Sequence, residues 1–153
     1  ALLAAHAFDP RQLELEITES AMMIDPERAK LIVRNLLALG VMISIDDYGT
    51  GFSSLGYLRD LNVHALKLDQ SFVIDLETQE QNRVIIESTA HMAHALGLKA
   101  VAEGVETERQ RDYLERVGYD VGQGFLFAPA MPPDECFDWV TRFNAGVLRR
   151  RAG

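Results

Sequence analysis

An α/β fold built on parallel strands is what this sequence predicts, and three observations carry the prediction. Short apolar runs alternate with longer amphipathic ones, the pattern of strands joined by right-handed helical crossovers. The runs 41–45, 65–69 and 99–103 are nearly all apolar before their last residue, as strands buried on both faces are. Each run ends on an acid or runs directly into one: Asp46, Asp69 and Glu103. About five strands are counted. Eight-stranded barrels take about 250 residues, so 153 residues make either an open sheet or part of a barrel.

Residues 1–8 read as the tail of a helix stopped by Asp9-Pro10, and a start of this kind without methionine suggests a fragment. Leu13-Glu14-Leu15-Glu16-Ile17-Thr18 alternates, predicting a first strand with Glu16 and Glu19 near its end. Asp25 caps a helix with Pro26 in its first turn, and Gly40 stops it. The strand from Val41 closes on Asp46 and Asp47. Gly49, Thr50 and Gly51 break it before a short helix from Ser53 to Asp60. After the third strand a long helix covers 77–96, with Val84, Ile85, Met92 and Ala95 expected on its core side around Ser88. Beyond the strand 99–103, Thr107 caps a helix to Val117. Residues 119–123 make a weak fifth strand. Pro132-Pro133-Asp134-Glu135 opens a last helix carrying Phe137, Trp139, Val140 and Phe143, and Arg149-Arg150-Arg151 reads as a solvated tail.

Composition bounds the function. With 48% hydrophobic and 25% charged residues the chain resembles one globular domain. A formal net charge of -8 argues against a broad basic face for duplex nucleic acid, so an anionic ligand would need metal ions or a local cationic patch. No apolar run is long enough to span a bilayer, and the opening lacks the basic start of a signal peptide. A cytoplasmic setting with no membrane contact from this segment is expected, the parent being free to carry an anchor elsewhere. Cys136 fits no disulfide or zinc pattern and reads as a small buried hydrophobe. His91 and His94, spaced i, i+3 with no third ligand nearby, read as a solvent-facing helix edge. Met22, Met23, Phe125 and Phe127 read as packing.

The informative regularity is where the polar residues fall. Glu16 and Glu19 close the first strand, Asp46 and Asp47 the second, Lys67 and Asp69 the third, Glu103 and Glu106 the fourth, and Gln123 the fifth. The carboxyl ends of parallel strands are where ligands bind. Any one of these residues alone is an ordinary loop acid, and the Asp pair alone could serve a turn and a cap. The set together reads as a site. Oxygen donors without His or Cys suit magnesium, manganese or calcium better than zinc. Lys67, between Leu66 and Leu68, needs a partner such as Asp47 or Asp69 if it faces inward, or else it snorkels to the surface.

The runs L-E-L-E-I-T-E-S, I-D-D-Y-G-T-G-F-S-S-L, L-K-L-D-Q-S-F-V, V-A-E-G-V-E-T and G-Q-G-F-L-F-A-P-A-M-P resemble, in order and over essentially the whole chain, the EAL-domain phosphodiesterases. That resemblance implies a modified TIM barrel that hydrolyses cyclic di-GMP to linear pGpG with two divalent cations, Mg2+ or Mn2+. It implies that Glu16 and Asp46 are metal ligands, Asp46 bridging, and that Asp47 holds the second metal. Lys67 would position or polarise the attacking water, with Asp69 in support. Glu103 would be the general base or a second-metal ligand, and Gln123 would orient groups around the water. Glu19 would anchor the loop from Gly49 to Leu55, with Thr50 and Gly51 in it, which in this family contributes to substrate binding and homodimerisation. Glu106 would line the site.

The sequence also departs from the family. Glu-Ala-Leu occurs nowhere, and the Asn ligand expected before Leu13 is absent, so residues 1–153 read as a single EAL fragment lacking its N-terminal strands. Tyr48 stands where Phe is usual, and Pro129 where many members carry a basic residue. Three readings stay open: part of an active phosphodiesterase, a degenerate module that binds cyclic di-GMP or a protein without hydrolysis, or a half-barrel that associates to cover its open strand edge.

Overall fold

The computed structural model describes residues 2–51 and 55–145. The expected helix start at Ser53 and the basic tail 149–151 lie outside them. A short helix α1 (Leu2–Ala5) and a 3-10 turn capped by Asp9 precede β1 (Glu14–Thr18). Then come α2 (Glu19–Ile24), α3 (Pro26–Leu37), β2 (Met42–Tyr48), α4 (Leu55–Asp60) and β3 (Ala65–Leu68). The chain continues through α5 (Gln70–Ile74), α6 (Glu80–Ala95), β4 (Lys99–Ala102), α7 (Glu108–Val117), β5 (Val121–Gly122) and α8 (Pro133–Asn144). The strands form one parallel sheet in the order β1-β2-β3-β4-β5. Such pairing needs a crossover between every two strands, and the sequence supplies a helix each time.

Register sorts the side chains between two faces. Ile17 pairs with Ile45, Ile45 with Leu66 and Leu66 with Ala100, so these share a face. It packs on Val33 of α3, Leu58 of α4, and Ala90 and Ala93 of α6. Ile43, Ile45, Leu66 and Ala100 are wholly buried there, each large side chain contributing about 1.5–3 kcal/mol. A second cluster joins Leu68, Val73, Ile86, Ala102 and Val105. The opposite face is different: Glu16 pairs with Ser44, Thr18 with Asp46, and Lys67 with Val101. That face carries the polar strand-end residues.

Several expectations need correction. The buried stripe of α6 is Ile86, Thr89, Ala90 and Ala93; of the residues expected on its core side, Ile85 and Met92 pack half-buried against the core, whereas Val84, 60% exposed, and Ala95 face outward. Small side chains at positions 90 and 93 let the helix sit close on the sheet, which bulk hydrophobicity does not reveal. α2 and α5 were not foreseen; each starts where a strand ends, capped by the Thr18 or Asp69 side chain. Cys136 is exposed, because no residue of α8 is buried and Trp139 stacks on Phe143 of its own helix at 5.0 Å. Met22 is buried, whereas Met23, Phe127 and especially Phe125, 71% exposed, are not core. No described helix is long and apolar enough to cross a membrane.

The α6 face gives a direct check by urea denaturation. Ile86→Ala should cost about 2–4 kcal/mol, and Val84→Ala no more than about 0.5 kcal/mol. Equal costs would mean the helix is rotated from the orientation described.

Candidate active site at the strand ends

β2 runs on through both aspartates to Tyr48, but its register against β3 shifts between Ile45 and Tyr48. In a regular strand Asp46 and Asp47 would face opposite sides. Asp47 instead has φ 55, a left-handed conformation that Asp tolerates better than most side chains. This bulge brings the two carboxylates to one place. With Glu103 they offer oxygens within 4.8 Å of one another, a set able to hold a metal ion.

Lys67 stands at the centre and is only 4% exposed. Its Nζ donates to Glu16 Oε1 at 2.6 Å and lies 2.7 Å from Glu103 Oε1 and 3.0 Å from Asp46 Oδ1. The partners expected, Asp47 or Asp69, are therefore replaced by Glu16, Asp46 and Glu103, because the long side chain reaches both flanking strands and β1. Burial pulls the Lys67 pKa down, but its contacts with Glu103, Glu16 and Asp46 outweigh that, and the ammonium is held well above its ordinary value. Burial pushes the Glu103 carboxyl up despite the opposing pull of Lys67. Burial and then the charges of Asp46 and Asp69 push Asp47 up as well.

Each remaining strand-end residue has a definite place. Asp69 caps α5, its Oδ1 accepting from the Ser71 amide at 3.0 Å and from the Ser71 hydroxyl; nothing in the motif reading pointed to Ser71. Glu19, 1% exposed, opens α2 and accepts from the amides of Gly49 at 2.9 Å and Gly51 at 3.3 Å. Gly49 has φ 100, and a Cβ there would lie 2.8 Å from the Phe72 ring; one on Gly51 would lie 2.9 Å from Glu19 Oε1. Neither position admits a side chain without movement. Thr50 closes the turn, its hydroxyl donating to the Asp47 carbonyl at 2.9 Å. Glu106 and Gln123 are exposed, outside the Lys67 cluster. Gln123 is held next to β4 by its own backbone, its amide donating to the Ala102 carbonyl at 2.9 Å and its carbonyl accepting from Val105 at 3.0 Å.

The donor set fits hard divalent cations. Five carboxylates (Glu16, Asp46, Asp47, Asp69 and Glu103) face one ammonium, an excess of negative charge that burial makes costly. Asp46 Oδ1 is buried and, for all its ion pair with Lys67, is aligned with no hydrogen-bond donor. A surface cavity of about 740 Å³ between α6 and α7 lies elsewhere. His91 and His94 on its rim are exposed, His94 pairing with Asp120 at 2.9 Å.

These features define an α/β protein with an acid and lysine centre at the carboxyl ends of parallel strands. The chain belongs to the EAL domain family, whose model matches residues 1–130. It is 43% identical over 133 residues to the bifunctional diguanylate cyclase/cyclic di-GMP phosphodiesterase MucR of Pseudomonas aeruginosa, covering 87% of this chain and 19% of that protein. The solved PaMucR phosphodiesterase in its c-di-GMP complex superposes with a TM-score of 0.85 at 42% identity, over 88% of this chain and 54% of that one. Klebsiella pneumoniae BlrP1, solved as a manganese and cyclic di-GMP complex, matches with a TM-score of 0.77 at 31% identity, over 83% and 32%. The five parallel strands and their helices are thus shared with the TIM-barrel-like EAL domains. The chain spans about a fifth of the curated relatives it matches.

Asp47 yields a signed prediction for the metal-free chain. A carboxyl raised in the fold binds more protons folded than unfolded, so its stability contribution falls as pH rises from the ordinary Asp range, about 4, through the folded value. Asp47→Asn removes that cost and suits the left-handed backbone, so the metal-free Tm should exceed that of the unsubstituted chain at pH 7, by a margin that shrinks as pH falls toward the ordinary Asp range. A Tm lowered at pH 7 would contradict the reading of Asp47.

Proposed function

We propose that this chain is the part of a cyclic di-GMP phosphodiesterase domain that carries most of its catalytic groups, the remaining strands and the Glu-Ala-Leu motif lying outside residues 1–153. The observation that carries the reading is Lys67 bound by Glu16, Asp46 and Glu103 beside Asp47. Support comes from relatives and solved neighbours described as phosphodiesterases or as cyclic di-GMP complexes.

In this reading Glu16, Asp46 and Asp47 would be ligands for two divalent cations, Mg2+ or Mn2+, with Glu103 close enough to Asp46 and Asp47 to join the second site. Bound there, such cations screen the phosphodiester's charge and acidify water. Hydrolysis adds water across one P–O bond, giving linear pGpG, with the water's proton finally on the leaving oxygen. Lys67 remains an ammonium, so it donates a hydrogen bond to the attacking water and does not take its proton. Glu103, raised by burial, is the group suited to accept that proton. Asp69 supports Lys67 electrostatically, and Gln123 and Glu106 orient the substrate side. Glu19 fixes the turn containing Thr50 and Gly51, and this turn and nearby elements form a homodimer contact. The setting is cytoplasmic.

Turnover of cyclic di-GMP with Mg2+ or Mn2+ tests this on the chain and on a version extended to a complete domain. The extended protein should release pGpG, and Lys67→Ala should slow it by about 10²–10⁴-fold. Binding of the dinucleotide without turnover by either version would favour a receptor instead.

A further inference from the structure

The loop that follows Glu103 and the helix that follows Asp69 come from different crossovers, yet one buried side chain joins them. Gln110 lies in the first turn of α7 and is 5% exposed. Its Oε1 accepts from the backbone amides of both Glu106 and Thr107 at 2.8 Å. Its Nε2 donates to the carbonyl of Val73 in α5 at 3.1 Å. A capping box needs only the acceptor, and Glu serves that role as well as Gln. Here the amide's donor half is used as well, reaching α5, whose N-cap is Asp69.

The surroundings make the junction tight. Gly104 lies so close to α5 that a Cβ would fall 2.6 Å from Gln70 Cβ. Val105 donates to the Gln123 carbonyl at 3.0 Å and accepts from the Leu126 amide at 3.0 Å. The segment from Glu103 to Thr107 is thus fixed by its backbone to the stretch that follows β5 and through Gln110 to α5. Among the described residues, Gln110 is the side chain that hydrogen-bonds both the loop after Glu103 and α5.

We propose that Gln110 is a positioning residue of the acid centre: by tying the loop after Glu103 to the helix capped by Asp69, it sets how Glu103 stands relative to Lys67 and Asp47. The inference rests on the reading of that centre as a divalent-cation site. Residues that hold a metal ligand in place through an intermediate bond commonly govern affinity by about 10–100-fold. Gln110 acts at a further remove, through backbone, so the lower end of that range applies.

The test is isothermal titration of Mn2+ into the chain and three variants, with Thr107→Ala as the control. Gln110→Glu keeps the shape and the acceptor but removes the donor to Val73; Gln110→Met keeps the volume alone. Thr107→Ala removes the hydroxyl that accepts from the Gln110 backbone amide, loosening the same helix start while leaving every partner of the Gln110 side chain in place. Gln110→Glu and Gln110→Met should each weaken Mn2+ binding about tenfold or more, with Thr107→Ala at the unsubstituted affinity. Unchanged affinity in the Gln110 variants, or equal losses in all three, would overturn the proposal.

Hydrogen exchange on the unsubstituted, metal-free chain covers the case in which the variants do not fold. The Glu106 and Thr107 amides should exchange slowly, and rapid exchange would overturn the tie. An unsubstituted chain that takes up no Mn2+ would instead remove the cation site on which the proposal rests, an outcome separate from the exchange result.

Discussion

Burying the Lys67 ammonium is the constraint around which the strand ends are arranged. A charge that is 4% exposed is tolerable only with close partners of opposite sign, and this one draws Glu16 from β1, Asp46 from β2 and Glu103 from β4. Neighbouring strands lie about 4.8 Å apart, so reaching Glu16 of β1 from β3 draws on the full length of the lysine side chain. The acids are bound to the lysine and so to one another. Their combined charge then exceeds what one ammonium neutralises, and that excess makes the place suited to divalent cations.

The loops are built to keep this arrangement from relaxing. Left alone, like charges would separate by moving the flexible segments after each strand. The fold restrains three of those segments with hydrogen bonds: Glu19 to the amides of Gly49 and Gly51, Asp69 to the start of α5, and Gln110 between α5 and the loop after Glu103. The left-handed Asp47 adds local strain for the same end, holding two carboxylates on one side of a strand. Stability is conceded at the site and recovered on the opposite face, where Ile43, Ile45, Leu66 and Ala100 pack under the helices.

Much of this was legible in the sequence, for identifiable reasons. Apolar runs and helix caps gave the order of strands and the longer helices, because caps such as Asp25 and Thr107 are local signals. The site's acids were legible because they recur at strand ends. Lys67's true partners were not, since they depend on register across four strands. The bulge at Asp47 depends on one backbone angle that the residue types do not announce. The α6 face was misjudged in part, at Val84 and Ala95, because Ala90 and Ala93 pack by being small, and α8 because an apolar stripe says nothing of what it meets. Gln110 read as part of a helix start, its partner in α5 being 37 residues away.

The central claim is that the crowded acids form a cation site, and thermal denaturation against Mn2+ concentration tests it most directly. A ligand that binds only the folded chain raises its stability by RT ln(1 + [L]/Kd). The account therefore predicts a Tm that climbs with Mn2+ in the unsubstituted chain and stays flat in Asp46→Asn. A flat response in the unsubstituted chain, or an equal climb in Asp46→Asn, would contradict it.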